Sequence, residues 1–259
     1  MWFYETGLIW QFTRRMLFSE FRGSLLGLGW LLLRPLVMLG VYVLVFHGIF
    51  GAKWPGVVDF SAWDYGLYVF VGLAVFQFFS ESLIRACGLI YGQPNLVSKV
   101  VFPLEVLPTA LALSGMVVLA VNFVLLLGVL LFLGMGSLSW LWLPLVLLPL
   151  VLMTWGLALL VSALGVYVRD LAQVLGMGMT ALMFLSPIFY AVGAVPERWQ
   201  AWFALNPLAQ VIGMLRDVIL LHRGLDLGSL VVMWVVALGF VGLGLWVFGR
   251  LKRGFVDVL

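Results

Sequence analysis

Glu81 and Arg85 stand one helical turn apart in a stretch that is otherwise almost wholly apolar, with the acid first, the order that favours an ion pair at this spacing. Two further charged doublets follow, Arg169-Asp170 and Arg216-Asp217, and a mixed-polarity island at residues 93–108 (QPNLVSKVVFPLEVLP) separates two long apolar runs. These groups suit electrostatic holding and docking rather than bond chemistry. Cys87 is the single cysteine and lies far in sequence from His47 and His222, so neither a disulfide framework nor a metal cluster is expected. None of Lys53, Lys99 and Lys252 ends a Gly-x-x-x-x-Gly-Lys-Ser/Thr loop, so the chain cannot cradle nucleotide phosphates itself. Beyond Glu81 and Arg85 the apolar runs hold only scattered Asn122, Thr154 and Gln173, too dispersed for a convergent catalytic site.

The elements that must position these residues are membrane helices. Hydrophobic residues make up 64% of the 259 and charged residues 10%, well outside the range of a soluble domain. Mean hydropathy is +1.19. A net charge of +3 offers no basic patch for nucleic acid. The first residues lack a basic n-region, so no cleavable signal is expected. Ile9, Phe12 and Met16 share a helical face with Trp2, opposite Gly7, Gln11, Arg14, Arg15 and Arg22; Phe18, Glu5 and Glu20 break the pattern. This predicts an amphipathic interfacial helix over about 1–22.

A span needs about 20 apolar residues. Six stretches qualify, at about 28–50, 65–90, 106–133, 141–167, 171–192 and 229–248, the fifth interrupted by Pro187. Between the last two, residues 196–221 divide at Asn206-Pro207 into halves too short to cross, which predicts re-entrant helices covered by protein or a watery cavity. The fold class expected is an all-α polytopic membrane protein, a single transmembrane domain over 1–259. With the N-terminus inside, ten Lys and Arg side chains fall on the cytoplasmic side against Lys53, Arg198, Arg216 and Arg223 outside, so both termini are expected in the cytoplasm.

Several segments, in order, resemble one family: 21–30 (FRGSLLGLGW), 33–36 (LRPL), 95–105 (NLVSKVVFPLE), 167–171 (YVRDL), 185–190 (LSPIFY), 195–198 (VPER) and 206–208 (NPL) before Arg216-Asp217. The chain looks like the membrane subunit of ATP-binding-cassette polysaccharide exporters, the Wzm and KpsM type. The resemblance implies a homodimer in the inner membrane resting on two nucleotide-binding subunits, which would hold the ATP and Mg; no cofactor is expected on this chain. The cargo implied is a lipid-linked or lipid-terminated polysaccharide of O-antigen or capsular type, moved among membrane lipids without nucleic acid.

The resemblance also suggests sites. Asn95, Leu96, Val97, Lys99, Val100 and Phe102 match the coupling helix that docks on the ATPase. Arg169 and Asp170 are a second contact, or an ordinary helix cap; both readings stand. Tyr42, Phe184 and Tyr190, with Glu81 and Arg85, are candidates for the substrate channel, against a packing role for the rings and a headgroup-zone position for the charges. Pro196, Trp199, Asn206, Pro207, Arg216 and Asp217 would form an outer gate, with Arg216 and Asp217 reaching across the dimer. A drug or small-lipid exporter of the same plan, and an intramembrane lipid-modifying enzyme, are the alternatives.

Overall fold

The computed structural model describes residues 2–19, 24–49, 51, 62–98 and 102–258. Lys99, Val100 and the side chain of Val97 lie outside these described residues. The long apolar runs become helices because a backbone out of water must satisfy its own N–H and C=O groups. In chain order they are α1 (Trp2–Ser19), α2 (Trp30–Tyr42), α3 (Ala62–Cys87), α4 (Pro94–Ser98), α5 (Val106–Phe132), α6 (Leu143–Tyr167), α7 (Leu171–Leu185), α8 (Glu197–Leu205), α9 (Pro207–Ile219), α10 (Leu227–Leu251) and α11 (Phe255–Val258).

Among the described residues four helical stretches are long and apolar enough to cross a membrane: Trp63–Cys87, Val106–Phe132, Leu138–Tyr167 and Leu227–Val258. The two other expected spans are shorter. After Tyr42, α2 gives way to wider π turns over Val43–Ile49. The expected span at 171–192 is helical only as far as Leu185, where α7 ends after 15 residues, just before the interrupting Pro187. Pro187 supplies no N–H and restricts the residue before it. Fifteen residues of α-helix reach about 22 Å, short of the roughly 30 Å hydrocarbon core.

Local signals set the ends. Gly134, with φ of 75°, closes α5, and the amides of Met135 and Gly134 reach back to the carbonyls of Leu130 and Leu131 at 2.9 and 3.0 Å. The Asp226 carboxylate accepts from the amides of Gly228 and Ser229 at 3.1 and 3.2 Å and opens α10.

The core is built on α6, which packs against α3, α5 and α10. Its closest approach to α10 is made by glycines. A Cβ on Gly156 would lie 2.5 Å from the Phe240 carbonyl, and one on Gly244 only 2.1 Å from the Gly156 oxygen. At the other end of α6 a Cβ on Gly165 would come within 2.1 Å of the Cys87 oxygen. In a bilayer, where helices gain little from hydrophobic contact alone, such close backbone packing is a main source of association. Along α1, Thr13 and Met16 are buried while Gln11, Arg14 and Arg15 are exposed, and the helix lies against α5.

A capped helix break and a polar cleft as the candidate functional site

Past Leu185 the chain runs without helix to the short helical turn at Val192, yet much of it is buried. Carbonyls freed by a break at this depth need donors, and side chains from three other elements provide them. The Asn206 side-chain amide, at the junction of α8 and α9, donates to the Leu185 carbonyl at 3.4 Å and to the Ser186 hydroxyl at 3.1 Å. Its own carbonyl oxygen accepts from the Leu208 amide at 3.0 Å, so one side chain caps α9 and grips the break.

Arg216 is the centre of this arrangement. It is 5% exposed. Its guanidinium donates to the Pro187 carbonyl at 2.6 Å, to the Ile188 carbonyl at 2.8 Å and twice to the Tyr68 carbonyl, at 3.0 and 2.8 Å. A guanidinium with its fixed fork of donors suits convergent carbonyls. The same geometry leaves little room at Gly72, where a Cβ would lie 3.1 Å from the Ile188 side chain and 3.2 Å from the Arg216 guanidinium. Tyr65 completes the set by donating to the Phe189 carbonyl at 2.9 Å, and the Tyr190 hydroxyl donates to the Phe184 carbonyl. The expectation that Arg216 reaches across a dimer is therefore corrected: it points inward and ties α9 to α3 and to the break. Asp217, the next residue, is half-buried, and its backbone carbonyl accepts from the Arg223 amide at 2.9 Å.

Beside the break lies a cleft of about 260 Å³ between α2, α3 and α7, lined among others by Arg34, Tyr42, Gln77, Ser80, Glu81 and Met183. Of the aromatic candidates Tyr42 lines this cleft, and Phe189, just past the break, packs against both Tyr42 and Phe184. Tyr42 and Phe189 are 4.9 Å apart between ring centroids, and Phe184 and Phe189 are 6.3 Å apart. Tyr190 turns away, edge-on to Phe203 at 6.0 Å. The expected Glu81–Arg85 pair is corrected too. The Glu81 carboxylate accepts from the Gln77 side chain at 2.9 Å, and Arg85 lines a second cleft on the other side of α2. Gln77, one turn before Glu81, was the residue that helical spacing alone pointed to and the ion-pair reading passed over.

The described coupling candidates gather at one end of the bundle, where α4 approaches α11. Asn95 is exposed, Leu96 is half-buried against the core, and Phe102 stands 5.3 Å from the Phe12 ring of α1. Lys252 at the end of α10 pairs with Glu105. Arg169 is exposed with its guanidinium 5.7 Å from the Tyr91 ring. Asp170 occupies the N-cap position of α7, but its side chain makes no capping bond. The gate candidates divide as well. Pro196 and Trp199 are exposed on and before α8, whereas Pro207 opens α9 half-buried.

Residues 7–220 match the family described as ABC-2 type transporter. The chain belongs to the ABC-2 type transporter family. It is thus a transport subunit rather than an enzyme. It is 28% identical over 258 residues to the O-antigen export system permease protein RfbA of Myxococcus xanthus, covering 97% of this chain and 95% of that protein. It is 25% identical over 249 residues to RfbA of Klebsiella pneumoniae, covering 95% and 93%. It is also 25% identical over 242 residues to the polysialic acid transport protein KpsM of Escherichia coli, covering 90% and 88%. In this ABC-2 chain the matched region takes in α2 to α9, and so both the break and the cleft.

Proposed function

We propose that this chain is the membrane permease of an ATP-binding-cassette exporter that moves a lipid-linked or lipid-terminated polysaccharide across the inner membrane, as a homodimer on two ATPase subunits. The observation that carries the reading is similarity over nearly the whole chain to permeases named for O-antigen export and polysialic acid transport. Six membrane segments with both termini in the cytoplasm are part of the proposal: α2 with its π turns and α7 with the chain beyond its break complete the set begun by the four long helices. The second copy covers α7, whose Val174, Met177 and Phe184 are exposed in the single chain.

The cleft of α2, α3 and α7 supplies what a sliding glycan needs. Tyr42 offers a ring face to sugar C–H groups, while Gln77, Ser80 and Glu81 offer hydrogen-bonding groups one turn or less apart. Each contact is weak and replaceable, so the polymer is held without being trapped. Force enters at the other end, where α4 and the residues around Phe102 dock on the ATPase and Arg169-Asp170 make a second contact. The ATPase binds the ATP and Mg. The outer gate is the α8–α9 hairpin around Pro196, Trp199, Asn206 and Pro207, with Arg216 holding its inner helix to the break and Asp217 beside it.

The test is deletion of the gene followed by assay of surface polysaccharide, with rescue by wild type and by Asn95→Trp. Asn95 is exposed, so this variant leaves the core intact, unlike a change at half-buried Leu96. Wild type restores export; the variant inserts normally but exports at least about tenfold less and loses ATPase on co-purification. Unchanged surface polysaccharide on deletion, with altered drug sensitivity or lipid composition instead, would overturn the cargo assignment.

A further inference from the structure

Past the end of α10 the chain turns back into the bundle. A tight turn over Lys252–Gly254 leads into α11, whose first residue, Phe255, is fully buried. A helix of four residues has too few internal hydrogen bonds to persist by itself, so its packing holds it. The Phe255 ring stands edge-on to Phe248 at 5.8 Å and lies 6.1 Å from the Tyr167 ring. The Tyr167 hydroxyl, at the last residue of α6, donates to the Leu251 carbonyl at 2.9 Å.

Phe255 belongs to a small apolar cluster apart from the main core. Ile90 enters it from the turn after α3, Leu159 and Val166 from α6 and Phe248 from α10, with Leu104 packed against them. This cluster reaches both stretches assigned to the ATPase. On one side, the Ile90 carbonyl accepts from the Gln93 amide at 3.0 Å just ahead of α4, and α11 itself contacts α4. Leu104 lies two residues past Phe102, and the next residue, Glu105, pairs with Lys252. The Glu105 backbone carbonyl accepts from the Thr109 hydroxyl at 2.7 Å, which in turn accepts from the Trp155 indole of α6 at 3.0 Å. On the other side, Tyr167 stands two residues before Arg169-Asp170. One segment therefore has hold of both.

α4 is only five residues long, and a push on so short a helix dissipates in local movement unless packed groups behind it carry the load onward. Behind it here are α6 and α10, joined backbone to backbone at Gly156 and Gly244, which can shift as one body. We propose that residues 252–258 form a positioning hook, with Phe255 its anchor and Lys252 its latch on Glu105, that locks α4 and the Arg169-Asp170 stretch to α6 and α10 so that the two move together. The proposal rests on reading those stretches as ATPase contacts. The Lys252–Glu105 pair is more than a third exposed on each side, so the ring carries more of the effect than the charges.

The test co-expresses the full chain with its ATPase and measures co-purified ATPase, ATP hydrolysis and surface polysaccharide. Phe255→Ala keeps its ATPase and at least about half of the hydrolysis but exports at least about fivefold less per ATP, the signature of lost coupling rather than lost fold. Phe255→Leu, which refills most of the cluster, recovers most of the export. In the purified chain without ATPase, Phe255→Ala raises amide exchange over residues 88–98 at least about tenfold and leaves the middle of α5 unchanged. Should Phe255→Ala not fold, the exposed pair replaces it: Glu105→Lys lowers export per ATP about twofold, and Glu105→Lys/Lys252→Glu restores it. Unchanged export per ATP in Phe255→Ala, loss of ATPase in proportion to export, or no rescue by the reversed pair would overturn the hook. A wild-type chain that retains no ATPase would instead defeat the ATPase reading, and unchanged exchange over residues 88–98 would then still overturn the hook.

Discussion

Three residues separate α6 from α7, yet the two helices are held in opposite ways. α6 is buried along most of its length and meets α10 backbone to backbone through Gly156 and Gly244. On α7 only Met179 is buried, and Gly176 and Gly178 face open space, with nothing within 4 Å of a Cβ placed on either. Both helices are strongly apolar, so composition does not separate them. What differs is whether the partner surface lies within the same chain. α6 finds its partners α3, α5 and α10 within the chain, even though α5 and α10 keep exposed apolar faces of their own, whereas α7, like α2 with no buried residue, presents an apolar face that we propose a second copy covers.

The largest effect should come from forcing α6 off α10. Gly156→Val places methyl groups where the Phe240 backbone already sits 2.5 Å from a Cβ, with no flexible side chain to yield. A loss of several kcal/mol is expected, of the size seen when a core is overpacked, read as collapse of the monodisperse peak in detergent. Gly176→Val is the matching control on α7, expected to leave the isolated chain within about 0.5 kcal/mol of wild type. A normal thermal midpoint with a lower dimer fraction in Gly176→Val would place the second copy on this face. Equal damage from both substitutions would erase the contrast.

Arg216→Met ranks next. It leaves the carbonyls of Pro187, Ile188 and Tyr68 without their donor inside a low-dielectric interior. Each such orphan costs about 1–3 kcal/mol, partly relieved by water or local movement. A net loss of about 2–4 kcal/mol is expected in a detergent-unfolding titration, and export should fail. Arg216→Lys keeps the charge but not the fork, so it should recover less than half. Recovery equal to wild type would show that charge, not geometry, holds the break.

Much of this plan was readable beforehand because continuous apolar runs announce α5, α6 and α10 directly. The membrane reading needed little else. The role of Arg216 was hidden by its neighbour: beside Asp217 it reads as part of a charged doublet reaching across a dimer, since adjacent helical positions do not face each other. The usable signal was that Arg216 falls four residues after Ile212 and three before Ile219, on the apolar face of α9, where a charge must find partners inside. Glycine roles were out of reach for a different reason. Gly156 and Gly176 look alike in sequence, and only the position of α10 distinguishes them. Likewise Glu81 and Arg85 are correctly spaced for a pair and line one cleft together, but Gln77, a turn earlier on the same helix, takes the carboxylate.

The smallest effect concerns how the two halves are capped. α9 begins on Asn206, which is neutral, while α10 begins on Asp226, whose carboxyl is held below its ordinary range by hydrogen bonds from the Ser229 hydroxyl and from the amides of Ser229 and Gly228. A group whose folded-state value is depressed contributes stability that is present above its unfolded value, near pH 4, and is lost as pH falls through the folded one. Acid should therefore loosen the first turn of α10, on the rigid side of the molecule, and leave that of α9 unchanged. Asp226 is exposed, so the change is a slight drop in thermal midpoint between pH 5 and pH 3, seen in wild type and absent in Asp226→Asn, which keeps an equally good cap without the titrating group. A drop of the same size in Asp226→Asn would assign the acid sensitivity elsewhere, and the cap would then distinguish the two halves only by chemistry, not by response.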